Sequence, residues 1–390
     1  MNYNEKFKIK NTKNKLLLFF QKKSKRLHDP LFFGNEKKYL NECIDSGYVS
    51  YVGKFVNKFE KKISYYTKSK YSVATCSGTS ALHLALCYYK VNDKDEILLP
   101  SFTYIATAAA IKYCNASLNF VDIENESLGV CPKKLLNYLS RISKKKGDYY
   151  FNKFTNKKLR ALIVVHLYGF SSRIEEIIKI CKKFNIILIE DSAEAIGAFY
   201  KNRHLGTFAE IGILSFNGNK TIAAGGAGAI LTKSKKIAKM LRHLSTHAKL
   251  NKKNDHLHDQ IGFNYRMTNL AAAVACAQLE NVKKIINAKK KIYKFYLNLF
   301  KPYKTIKILS GSKNLKSNYW LVTALFKNQK YRNQFIKFFS SIGISTRVTW
   351  RPLHTLKIFK DYPRDDLQNT KIINNKLLNL PSSPILGFKK

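Results

Sequence analysis

The 390-residue chain carries 70 Lys and Arg against 25 Asp and Glu, a formal charge of +45, with 45% hydrophobic and 13% aromatic residues. That much apolar surface offsets chain entropy and excludes general disorder, and no apolar run approaches the roughly 20 residues needed to span a bilayer. The charge invites a nucleic-acid-binding reading, but lysines recur throughout, at Lys22-Lys23, Lys144-Lys145-Lys146, Lys252-Lys253 and Lys289-Lys290-Lys291, without a glycine-aromatic RNA signature or zinc-finger spacing. A solvated lysine-rich surface is the plainer reading, with nucleic-acid binding the lesser alternative.

Residues 1–27 are a basic extension around Leu16-Leu17-Leu18-Phe19-Phe20, expected to pack on the main body or to be partly mobile. The apolar run is short and no small-residue cleavage site follows it, so a cytoplasmic protein is expected. Seven cysteines, Cys43, Cys76, Cys87, Cys114, Cys131, Cys181 and Cys276, lie far apart with no C-x-x-C pair. They fit reduced thiols in a cytosol, and no metal site is expected.

Residues 28–280 alternate strand-like apolar runs with helix-like segments, which predicts a large α/β domain with a mostly parallel sheet covered by helices. Ala161 to Leu167 reads as a strand, Ile174, Ile177, Ile178, Cys181 and Phe184 as one helical face, and Ile186 to Ile189 as the next strand. Residues 281–390 mix both patterns, as a smaller α+β domain does.

Three segments carry the candidate chemistry. Val73 to Leu86 reads as strand, small-residue turn and apolar helix, so Gly78, Thr79 and Ser80 sit where backbone N–H groups and the helix dipole favour a phosphate. An ordinary N-cap by Ser77 or Thr79 fits the same residues. Asp191 and Glu194 follow a four-residue aliphatic run, at the carboxyl end of a buried strand where open α/β sheets bind ligands; a helix cap is the alternative for Asp191. Lys220 follows an apolar strand and precedes Gly225-Gly226-Ala227-Gly228, a turn that lets backbone approach a ligand closely.

The ordered set S-G-T-S-A-L-H-L-A-L, P-S-F-T-Y-I-A-T-A-A-A-I, H-L-Y-G, E-D-S-A-E-A-I-G, S-F-N-G-N-K and G-F-N-Y-R-M-T-N-L resembles the DegT/DnrJ/EryC1/StrS nucleotide-sugar aminotransferases, from about residue 28 to Ser383. Gly34 to Leu40 and Leu98 to Phe102 look like the branch that aminates C4 of UDP-4-keto-6-deoxy-N-acetylglucosamine for bacillosamine and legionaminic acid. GDP-4-keto-6-deoxymannose or a 3-ketosugar are the alternative substrates. The resemblance implies a fold type I enzyme using pyridoxal phosphate (PLP), glutamate as amino donor, and a homodimer with active sites at the interface.

By matching position it implies Lys220 as the Schiff-base lysine, Asp191 as the pyridine-nitrogen partner, Tyr104 stacked on the cofactor, and Gly78, Thr79 and Ser215 at its phosphate. It places Asn264 or Arg266 reaching in from the other subunit, and Glu194 near the cofactor's 3-hydroxyl or the substrate. His166 and His354 are candidates for substrate contact, each with a core or surface histidine as the alternative. Ala223-Ala224 and Ala227 stand where the branch often has threonines and an unbroken glycine run, which predicts lost hydroxyls and an added β-carbon close to the site.

Overall fold

Apolar runs become strands and periodic segments become helices, in the α/β order expected. The computed structural model describes residues 3–21, 23–250 and 256–388, so Lys22 and the Lys252-Lys253 cluster lie outside the described residues. The chain opens with helices α1 (Tyr3–Phe19), α2 (Glu36–Asp45) and α3 (Lys54–Thr67). Then come β1 (Tyr71–Thr75), α4 (Gly78–Tyr88), β2 (Asp95–Pro100), α5 (Ile105–Tyr113) and β3 (Ser117–Val121). These are followed by α6 (Pro132–Ile142), the hairpin β4 (Ser143–Lys146) and β5 (Tyr149–Asn152), β6 (Lys158–Val165), α7 (Ile174–Lys183) and β7 (Ile187–Asp191). Short strands β8 (Phe199–Tyr200) and β9 (Arg203–His204) precede β10 (Ile211–Ser215), β11 (Gly228–Thr232) and α8 (Lys235–Leu244).

The main path of the sheet runs β1-β11-β10-β7-β6-β2-β3. Its centre, β10-β7-β6-β2-β3, is parallel, while β11 pairs antiparallel with both β1 and β10. The mixed end follows from the connection between β10 and β11, which contains no helix to carry the chain round as a parallel crossover. The lysine run at 144–146 forms the exposed edge of the β4–β5 hairpin, where charge discourages pairing with another chain. The carboxyl ends of β6, β7 and β10 meet the N-termini of α4 and α5, and that junction positions the cleft.

Beyond α9 (Asn269–Glu280), Asn281 separates that helix from α10 (Val282–Phe300). There follow β12 (Ile306–Ile308), β13 (Leu315–Lys316), β14 (Val322–Phe326), α11 (Gln329–Ser341), β15 (Arg347–Val348), α12 (Gln368–Asn374) and β16 (Leu377–Leu380). An antiparallel sheet, β12-β14-β16-β15, packs with α10 and α11 around Tyr296, Phe300, Phe326, Phe335 and Leu378. Leu16 and Phe20 are buried in this same cluster and Thr12 bonds the Tyr303 hydroxyl at 2.7 Å, so the extension packs on the C-terminal sheet, not on the main body. Its apolar run is too short to be stable as an isolated helix, and the aromatic face of α10 supplies the partner. No helix among the described residues is long and apolar enough to cross a membrane.

Candidate active site

A cavity of about 450 Å³ opens at the carboxyl ends of the central strands. Gly78, Thr79, Tyr104, Asp191, Glu194, Ser215 and Lys220 line it from the main body, and Trp320, Arg347 and Trp350 from the C-terminal part.

At its floor the turn before α4 is built by a capping box. Ser77 Oγ accepts the Ser80 N–H at 3.0 Å, and Ser80 Oγ accepts the Ser77 N–H at 3.0 Å. Ser80 is therefore spent on the cap, contrary to its expected place among the ligand-binding residues; both its polar groups are satisfied locally and its side chain is buried. Gly78 and Thr79 remain on the cleft wall. The packing there admits only glycine: a β-carbon on Gly78 would stand 2.9 Å from Ser215 Cβ, and one on Gly228 would stand 2.4 Å from the Ser77 carbonyl oxygen. The glycine-rich return strand is thus the backing that presses the turn against Ser215.

Asp191 ends β7, paired on either side with Val165 and Ile213. Its Oδ2 accepts the Thr107 hydroxyl at 2.9 Å and its Oδ1 the Ala193 N–H at 3.2 Å, leaving acceptor capacity toward the cavity. Burial raises its pKa above the usual carboxylate value, with the Thr107 and Ala193 bonds and the Lys220 charge opposing. Burial raises Glu194 as well, against the charge of Lys220 and the Tyr168 N–H, which donates to Oε2 at 2.7 Å.

Lys220 Nζ lies 3.5 Å from Glu194 Oε1 and 4.4 Å from the Trp320 ring centroid. That carboxylate contact is long for a charge-assisted hydrogen bond, so the amine is held in place without being consumed. Trp320 is itself fixed on three sides. Its Nε1–H donates to the Asn219 carbonyl at 2.7 Å, its N–H to Asn318 Oδ1 at 3.1 Å, and its carbonyl accepts from Lys289 at 3.0 Å.

Other expected residues lie elsewhere. His166 is wholly buried, its Nδ1 accepting the Ser172 N–H at 3.2 Å and its Nε2 at 2.9 Å from Glu190 Oε2. With Nδ1 an acceptor, Nε2–H donates to Glu190, and both nitrogens are used inside the core rather than on a substrate. Burial raises the Glu190 pKa, but His166 and the Ala209 and Gly206 N–H groups outweigh it and lower the net value. His354 Nδ1 sits 2.7 Å from Ser101 Oγ, buried away from the cavity lining, so it too is structural. The Arg266 guanidinium is 8% exposed and paired with Glu60 of its own chain at 3.2 Å, which withdraws it from a reach into a second subunit. Asn264 is exposed and outside this cavity. Ala224 and Ala227 pack into the core beside Phe216, and Ala223 is buried outside the cavity lining, so their methyl groups do not enter the site as expected.

Sequence reading missed Thr107, Trp320, Arg347 and Trp350. Thr107 stood inside the P-S-F-T-Y-I-A-T motif, and the chain's only two tryptophans both line the cavity. Scarcity of that residue type was the available signal. Arg347 Nε and Trp350 Nε1 are buried without a hydrogen-bond partner, and the Arg347 guanidinium lies 4.3 Å over the Trp350 ring.

A mixed sheet with a parallel centre, with an amine, a buried carboxylate and a helix N-terminus converging at the carboxyl ends of its central strands, defines a PLP-dependent aminotransferase of fold type I. Residues 33–389 match the DegT/DnrJ/EryC1/StrS aminotransferase family, and the chain belongs to it. It is 34% identical to a GDP-perosamine synthase of Escherichia coli O157:H7, covering 93% of this chain and 94% of that protein. It is 30% identical to the UDP-4-amino-4,6-dideoxy-N-acetyl-beta-L-altrosamine transaminase of Campylobacter jejuni subsp. jejuni serotype O:2, covering 86% and 87%. Among solved structures, an aminotransferase of pseudoaminic acid biosynthesis from Helicobacter pylori has a TM-score of 0.81 at 22% identity, covering 91% and 92%.

Proposed function

We propose that this sugar aminotransferase moves an amino group from glutamate to C4 of GDP-4-keto-6-deoxymannose, giving 2-oxoglutarate and a GDP-linked aminosugar for surface glycans. The convergence of Lys220, Asp191 and Glu194 in one cavity supports the amino-transfer chemistry. Similarity over more than nine-tenths of both chains to GDP-perosamine synthases of two bacteria supports the sugar, in place of the UDP sugar expected from the motifs.

The residues present fit the cofactor. The Gly78-Thr79 backbone at the α4 N-terminus and the Ser215 hydroxyl suit a phosphate, Tyr104 suits a ring face, and Asp191 has acceptor capacity for a protonated ring nitrogen. Bound there, PLP supplies the aldehyde that carries the amino group and the electron sink for breaking a C–H bond. Lys220 is the proton carrier: as the free amine it takes the α-proton of glutamate, and in the second half-reaction it delivers a proton to C4 of the sugar. Asp191 keeps the ring nitrogen protonated, and Glu194 holds Lys220 beside the reacting carbon. Arg347 and Trp350, with unpartnered N–H groups, receive anionic substrate groups.

The working unit in this reading is a homodimer, with residues 28–280 as the cofactor domain and 281–390 as the smaller domain. Exposed Tyr48, Tyr51, Val52, Leu257 and Ile261 give a second copy an apolar surface, and Asn264 lies close in sequence to Ile261 for contact across it. Incubation of the protein with PLP, L-glutamate and either GDP-4-keto-6-deoxymannose or UDP-4-keto-6-deoxy-N-acetylglucosamine, read by mass spectrometry, tests the substrate. Amination of the GDP sugar alone is expected. Amination of the UDP sugar alone overturns the substrate and leaves the enzyme class standing.

A further inference from the structure

His83 and Cys87 are one turn apart on α4, so both side chains lie on the same face. Cys114 is the residue immediately after α5, which packs beside α4. One imidazole nitrogen and the two sulfurs all lie within 4.8 Å of one another. Cys114 lies 27 residues beyond Cys87 and 31 beyond His83, a separation that hid the three from any reading of local cysteine spacing.

We propose that His83, Cys87 and Cys114 form a zinc site that staples α4 to α5. Tetrahedral zinc, with bonds of about 2.0–2.3 Å to nitrogen and sulfur, spaces its donors roughly 3.5–3.8 Å apart, so the three atoms need to close by only about 1 Å. Two thiolates and an imidazole select a soft or borderline cation over magnesium or calcium. The imidazole is already oriented. Its Nδ1 lies 3.2 Å from the Tyr265 hydroxyl, and its ring packs between Phe263 and Tyr113 at centroid distances of 4.9 and 5.6 Å. Both cysteines are half-buried, and a water molecule would complete four-coordination.

The site is separate from the amino-transfer cleft: Cys87 lies nine residues along α4 from Gly78, about 13 Å of helix. Its place in the fold gives it a structural purpose. The N-termini of α4 and α5 carry Gly78 and Tyr104 to the cleft wall, and a cation joining the other ends of these helices fixes their separation.

The test uses the PLP-loaded enzyme, reduced, freed of metal with a chelator and titrated with Co²⁺ alone as a visible stand-in for zinc. One equivalent is expected to bind with thiolate-to-cobalt charge transfer and tetrahedral d–d bands at the red end of the spectrum, clear of the cofactor. Those bands disappear in Cys87→Ser and in Cys114→Ser, and persist in Cys76→Ser. Zinc raises the unfolding midpoint of the wild type and not that of Cys114→Ser. Bands surviving in the Cys87→Ser/Cys114→Ser double variant, or reduced wild type that binds no stoichiometric cobalt, overturn the site. The wild-type stoichiometry decides the matter even if a variant fails to fold.

Discussion

Lys220 and Lys289 both touch Trp320, one over its ring at 4.4 Å and the other on its carbonyl at 3.0 Å, yet their surroundings differ completely. Lys289 is fully buried and spends its amine on His28 Nε2 at 2.7 Å, the Trp320 carbonyl and the Ser382 carbonyl at 2.8 Å. Burial holds its pKa well below the ordinary lysine value. Lys220 keeps one long carboxylate contact and faces an open cavity. A lysine whose hydrogen bonds are saturated ties elements together, whereas one held by packing and left short of partners is available for chemistry. Trp320 couples the two, so the tie made by Lys289 also steadies the ring beneath Lys220.

The sharpest break of this contrast is Lys220→Ala. Turnover is expected to fall by about 10³-fold or more, with a denaturation midpoint close to wild type, because a proton carrier is lost while little packing is. Retention of a tenth of the activity in steady-state assays would remove Lys220 from its role.

Asp191→Asn is expected to lower turnover by about 10²-fold and to raise the thermal midpoint of the cofactor-free protein at neutral pH. Because burial raises the Asp191 pKa in the fold, its favourable contribution is complete only below the unfolded carboxylate pKa and is lost as pH rises through the raised folded value. The charge therefore costs stability at pH 7 (about neutral), where asparagine removes the cost, and the gain shrinks as pH falls through the carboxylate range. A variant less stable than wild type at every pH in a calorimetric series contradicts this.

Lys289→Met leaves two carbonyls without a donor while removing a buried amine, for a net loss of about 2 kcal/mol in urea unfolding and less than about tenfold in turnover per folded molecule. Loss of activity with unchanged stability would reverse the contrast between the two lysines. The smallest effect belongs to His354→Ala, whose KM for the sugar nucleotide should stay within about twofold while stability drops by about 1 kcal/mol from the lost Ser101 bond. A KM shift of tenfold would return His354 to the substrate site.

Residues that act within a short stretch were legible from their neighbours. Asp191 ends the run Ile187-Leu188-Ile189-Glu190, and a buried strand can end in a carboxylate only where something outside the sheet compensates it. Lys220 was set apart from the other lysines by the strand before it and the glycines after it. The histidines were not separable in this way, since His166 and His354 differ from ligand histidines only in which distant groups, Glu190 and Ser101, reach their ring nitrogens. Arg266 likewise looked available until Glu60, 206 residues earlier, closed on it.

The sequence by itself determined the alternation of strands and helices, the turn before α4, and the positions of Asp191 and Lys220, because hydrophobic period and turn chemistry act over a few residues. Tertiary structure alone decided that both tryptophans and Arg347 close the cleft, that Ser80 serves its cap, that α1 rests on the C-terminal sheet, and that His83, Cys87 and Cys114 converge. Each of these depends on which surfaces meet when separate apolar faces are buried, and that choice is made by shape and packing across the whole chain.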